Sequence, residues 1–185
     1  MLVSDLLKEN TAKYHDEIEG KLASKKLFDG TFTEQDYYKM LQVNHQFLKV
    51  YESDIRNLLS ENDLHNFSQT NLDKLSLIEK DLNELNLSEL NFSKTANLVE
   101  RAEAIGALYV IEGSMLGGNV IAKTLKKYPD LADQKFNYFG HYGENLGQSW
   151  KTFVSYINQE FTTEEQQNKV LIGAKKAYED LISFA

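Results

Sequence analysis

Proline occurs once in 185 residues, at Pro129. No other feature constrains the fold as tightly, because a chain of many short strands needs frequent turn residues, and this one lacks them. With only ten glycines besides, the sequence predicts an all-α protein. Its length and its 42% hydrophobic content suit one domain over residues 1–185, built on a single core. No cysteine is present, which excludes a disulfide framework, thiol catalysis and Cys-ligated metal, and suits a reducing cytoplasm. The formal charge of −8 opposes the basic face that nucleic-acid binding needs. The N-terminus has charges every few residues, the C-terminus ends in "LISFA", and no window approaches the ~18 apolar residues of a membrane span. A cytoplasmic protein without membrane or nucleic-acid partners is expected.

Hydrophobic periodicity divides the chain into long helices. Leu7, Thr11, Ile18 and Leu22 share one side of a first helix over about 4–24, with Ser4 as its N-cap. Thr33 and Asp36 form a capping box for a second long helix. The polar, Asn-rich stretch 61–93 reads as shorter helices joined by loops. A third long helix begins near Thr95 and stops before Pro129, which cannot continue it. The glycine-rich "FNYFGHYGENLGQSW" is a loop into a fourth helix over about 148–160. The last helix starts at Thr162, with Glu165 closing its capping box.

The most apolar of these helices is weakened by its own glycines. Gly113, Gly117 and Gly118 stand within six positions, and each costs roughly 1 kcal/mol relative to alanine. Gly106, Gly113 and Gly117 fall on one face. Two readings are open: a close helix crossing, or a ligand that approaches the backbone where no Cβ fits. The adjacent pair Gly117 and Gly118 exceeds what a simple crossing needs.

His15 shares the inward face with Thr11, Ile18 and Leu22. It reads as a core histidine bonded to a neighbour or as a ligand. Glu19, one turn on, is placed to orient a ligating imidazole by hydrogen bonding. Lys8, two turns back and roughly 10 Å along the axis, could meet an anionic edge of a large flat ligand. His45, His65 and His141 show no partner pattern. Glu-x-x-His pairs, a P-loop, a G-x-G-x-x-G fingerprint and a G-x-S-x-G elbow are all missing from the sequence.

Together, "LLKENTAKYHDEIE" and "YVIEGSMLGGNVIAKTL" resemble the heme oxygenase family, in its bacterial, biliverdin-producing form. Leu7, Lys8, Thr11, His15 and Glu19 match the family's L-K/R-x-x-T-x-x-x-H-x-x-x-E segment. Gly113, Ser114, Gly117 and Gly118 match its G-D/S-x-x-G-G signature. The resemblance spans essentially the whole chain, including the stretch Gly147–Trp150.

The resemblance implies an all-helical fold with heme b, both substrate and cofactor, held between the first helix and the glycine-bearing one. It makes His15 the iron ligand, with Glu19 hydrogen-bonded to it. Gly113, Gly117 and Gly118 become the positions where backbone touches the porphyrin, with Gly113, Ser114 and Gly117 bordering the dioxygen. Thr11 belongs to the heme-binding segment, Lys8 and Lys151 are the cations for the propionates, and Tyr178 covers the heme edge. The family's reaction uses dioxygen, with electrons from a ferredoxin, flavodoxin or reductase, to hydroxylate a meso carbon. It ends in biliverdin, carbon monoxide and ferrous iron. A histidine ligand suits hydroperoxide attack better than a thiolate, which favours O–O cleavage. Where part of the family has an aspartate, this chain has Ser114, so proton delivery must lean on water and backbone groups. Two alternatives stand beside the enzyme: a heme carrier of the same fold without turnover, and a helical interaction domain in which His15 and the glycines only pack.

Overall fold

Local capping decides where several of the helices begin. A computed structural model of the chain describes residues 1–67 and 72–185, save the side chain of Asp130. Helix α1 is Val3–Lys21, α2 Lys26–Asp29, α3 Glu34–Leu58, α4 Glu61–Asn66, α5 Lys74–Glu84, α6 Arg101–Leu125, α7 Leu146–Glu160 and α8 Glu164–Phe184. Short 3-10 turns occupy Pro129–Leu131 and Gly143–Asn145, and the described residues contain no strand. The all-α expectation is met.

The Thr33–Asp36 capping box starts α3 as expected. The other starts differ. Leu2, not Ser4, caps α1; Ser4 lies inside the first turn, and both its N–H and its hydroxyl bond the Asn158 carboxamide at 3.0 Å. The last capping box is Thr163 with Gln166, one residue later than expected, since Gln166 serves the role as well as an acid does. Helix α1 ends at Lys21 rather than Ser24, α7 begins two residues early at Leu146, and α6 starts at Arg101 rather than near Thr95. Between Asn86 and Glu100 the chain runs without helix along α3. There Gln42 and Gln46 donate to the carbonyls of Ser88 and Phe92. The expected short helices of 61–93 are α4 and α5, while residues 68–71 lie outside the described ones.

Packing is organised by α8. It lies along α6 in the most extensive pairing of the fold and along α1 in the next. Gly106 and Gly173 permit the first: a Cβ on Gly106 would overlap the Val170 carbonyl, and one on Gly173 the Glu103 carbonyl. Helix α3 packs on α5, α6 and α8, and α7 closes against α6 and α1. Helix α6 is long and apolar enough to cross a membrane by length and composition, contrary to the sequence expectation, but most of that stretch is buried inside the protein.

Three polar clusters anchor these elements. Asp63 of α4 takes a two-pronged bond from Arg101, at 2.7 Å on each oxygen, and one from Tyr156 at 2.9 Å. The buried Lys74 ammonium meets Glu112 at 2.6 Å, and the Tyr142 hydroxyl donates to the same carboxylate at 2.7 Å. Asp81 of α5 accepts the N–H groups of Asn137 and Tyr138 at 2.8 and 2.9 Å, fixing the loop between α6 and α7. The buried Lys74–Glu112 pair stabilises mainly by what its removal leaves uncompensated, and through Tyr142 it holds that loop against α6.

Candidate functional site

Helices α1 and α6 form two walls of a cleft whose end is closed by α2, α3 and α8. Counted out into open solvent, it holds about 850 Å³ of empty space. His15, Ile18 and Glu19 come from α1 and Leu22 from its C-cap; Val110, Gly113, Ser114, Gly117, Val120 and Ile121 come from α6. Phe28, Met40, Asn44, Phe139, Tyr178 and Leu181 complete most of the lining. The surface is apolar with a few polar groups, as a large flat organic ligand requires.

His15 is not a core histidine. Its side chain is 54% exposed at the cleft, while Ile18 beside it is buried. Nδ1 stands 3.8 Å from Glu19 Oε2, beyond hydrogen-bond length. The expected Glu19–His15 hydrogen bond is therefore not formed in this structure, although the two groups are adjacent. Asp16 brings a further carboxylate within 4.8 Å of both.

The glycines divide between the two readings. Gly106, on the same face by periodicity, serves the α6–α8 crossing. Gly113 and Gly117 line the cleft: a Cβ on Gly117 would meet nothing within 4 Å, and one on Gly113 only Trp150 at 3.8 Å. These two therefore have room for a side chain that the sequence does not supply. Gly118 does not face the cleft. A Cβ there would come 2.6 Å from Phe139, so this glycine seats the ring that itself forms part of the lining.

Tyr178 is buried, lines the cleft and stacks on Tyr14 with centroids 6.1 Å apart. Burial pushes its phenol pKa up. Thr11 lies beneath, its hydroxyl donating to the Leu7 carbonyl at 2.8 Å, and does not line the cleft. Lys8 and Lys151 are exposed and stand outside the lining; Lys151 borders a shallow polar groove with Gln148 and Tyr156 instead. The structure thus brings together His15, Glu19, Gly113, Ser114, Gly117 and Tyr178, and leaves Lys8, Thr11, Lys151 and Gly118 apart.

Sequence reasoning missed Asn44, Met40 and Phe139. Asn44 carried a signal: it sits at a core spacing between Met40 and Leu48 on α3, where a polar residue is out of place. Phe139 depends on a loop fold that no periodicity encodes.

Comparisons with known proteins agree with this geometry. The sequence profile of the heme oxygenase family matches residues 1–183. A heme oxygenase of Xanthomonas campestris pv. campestris (strain 8004) is 36% identical over 74 residues, covering 40% of this chain and 44% of that protein; the chain thus matches less than half of that relative's length. The NO- and CO-bound heme oxygenase of Neisseria meningitidis superposes with a TM-score of 0.72 at 22% identity, over 100% of this chain and 90% of that one, a likeness of fold.

Proposed function

Because the chain belongs to the heme oxygenase family, we propose that it cleaves heme, with dioxygen and electrons, to biliverdin, carbon monoxide and ferrous iron. The observation that carries this reading is an exposed imidazole on one wall of the cleft and, on another, a helix face opened by two glycines, Gly113 and Gly117, with Ser114 beside them. A flat macrocycle needs both: a ligand for its iron and a surface without Cβ atoms against its face. His15 supplies the first for heme b, and Glu19 is near enough to orient the imidazole once it turns. Ile18, Leu22, Phe28 and Phe139 exclude water from the porphyrin. Ser114 borders the side where dioxygen binds. Electrons come from a ferredoxin, flavodoxin or reductase, and the protein works in the cytoplasm, without membrane or nucleic acid. For the propionates, Lys8 or Lys151 would have to extend to the cleft from outside its lining.

The test is an anaerobic heme titration of the chain and of His15→Ala, followed by air and a reducing system with catalase present. A one-to-one complex that turns to biliverdin with carbon monoxide trapped, and that His15→Ala fails to form, is the expected result. A stable oxygenated complex that never turns over would make the protein a heme carrier. No stoichiometric complex would overturn both the enzyme and the carrier readings.

A further inference from the structure

Asn44 is a buried carboxamide in the wall of an apolar cleft. A polar group there is costly unless its bonds are made; here the nitrogen end is held and the oxygen end has a hydroxyl close by. Nδ2 donates to the Met40 carbonyl at 2.8 Å. The Tyr138 hydroxyl approaches Oδ1 at 3.5 Å, the outer limit of hydrogen bonding. Tyr138 is buried in turn, and its N–H is fixed by Asp81 Oδ2 at 2.9 Å. Asp81 also holds the backbone and side-chain amides of the preceding Asn137, each at 2.8 Å. Three side chains thus run in line from α5 through the α6–α7 loop to the cleft.

An amide nitrogen carries two protons. The Met40 carbonyl uses one, and the other is left over on a residue that lines the cleft. Ser114 also lines the cleft: its hydroxyl donates to the Ile111 carbonyl at 2.7 Å, and its oxygen lies beside the Tyr138 hydroxyl. Asn44 and Ser114 thus line the cleft from two different helices. Unlike an imidazole or a carboxylate, the carboxamide keeps its donor at every working pH.

We propose that Asn44 is a further catalytic residue, a non-titrating N–H donor to a small ligand bound on the heme iron, and that Tyr138 is its positioning residue. This rests on heme being the occupant of the cleft. A preset donor aimed at an oxygen that gains negative charge lowers the barrier without reorganisation. The Asp81–Tyr138 line supplies the presetting, because it fixes which end of the carboxamide faces inward.

Carbon monoxide on the reduced heme-loaded protein reads this donor directly. A hydrogen bond to its oxygen weakens the C–O bond, so losing the bond raises the infrared stretching frequency. The band is compared in the unaltered chain, Asn44→Leu and Tyr138→Phe, with heme stoichiometry and helix content measured alongside. We expect a shift to higher frequency in both variants, with heme cleavage slowed about 100-fold in Asn44→Leu and less in Tyr138→Phe. An unmoved band in variants that bind heme one to one overturns the assignment and leaves the heme reading intact. If Asn44→Leu does not fold, Tyr138→Phe, which removes one hydroxyl and keeps the ring, decides alone. A chain that binds no heme overturns both.

Discussion

Gly106 of α6 and Gly173 of α8 each lie directly against the other helix's backbone, Gly106 on Val170 and Gly173 on Glu103. Neither backbone can yield as a flexible side chain would. Gly173→Ala is therefore expected to destabilise the protein by about 3 kcal/mol, the upper part of the overpacking range, despite alanine's better helix propensity. Urea denaturation of the variant measures this; an unchanged midpoint would mean that the helices separate freely.

Gly117 should behave in the opposite way. Nothing stands within 4 Å of the Cβ it lacks, so Gly117→Ala is expected to raise the stability of the ligand-free protein by about 1 kcal/mol. The same methyl group enters the cleft, so heme affinity should fall. Thermal melting and heme titration of one variant read both effects, and a gain in both would remove the glycine from the binding surface.

Asp63 sets an acid limit. Burial raises its pKa, but the hydrogen bonds from Arg101, Ser60 and Tyr156 outweigh that and hold it down at about 2. A carboxylate whose pKa falls on folding stabilises above its unfolded value near 3.9 and loses that contribution as pH drops through the folded one. About 2 kcal/mol is expected to disappear between about pH 4 and pH 2. Asp63→Asn should lower stability at neutral pH and flatten that acid slope, which denaturation across the range would show.

His45 acts at milder pH. It is wholly buried on α3, and neither ring nitrogen has a hydrogen-bond partner among the described residues. Burial pushes its pKa down; Glu89 and Glu79, about 4 Å from Nε2, oppose this, and Lys49 adds to it. A base whose pKa falls on folding is neutral in the folded chain when the unfolded chain already takes up a proton. Stability should thus decline as pH falls below about 6.5. In His45→Met the decline between about pH 7.5 and 5.5 should be shallower than in the unaltered chain, and equal slopes would clear His45 of the effect.

What the sequence discloses of this fold is what repeats or caps locally. The scarcity of proline, the Thr33–Asp36 box and the helical spacing of Leu7, Ile18 and Leu22 are each contained in a few consecutive residues, and the structure keeps them. The helical spacing groups His15 with Ile18 and Leu22, and all three line the cleft, but periodicity cannot tell a core from the lip of a cleft, so the exposure of His15 is not legible. Nor could periodicity separate Gly106 from Gly113: both lie on one side of α6, and only the position where α8 ends its contact divides them. The acid Asp81, the loop residues Tyr138 and Phe139, and through them the setting of Asn44, depend on contacts more than 50 positions apart in the chain. No local pattern carries that information.

The walls of the cleft, α1 and α6, lean on α8 far more than on each other. A porphyrin lodged between them would be the cross-brace that the polypeptide does not provide for itself. An intact macrocycle is rigid and planar, whereas an opened tetrapyrrole is a flexible chain. Ring opening would therefore slacken the brace at the moment the product must depart, so that the reaction itself unclamps the walls, without a hinge or lid having to move first.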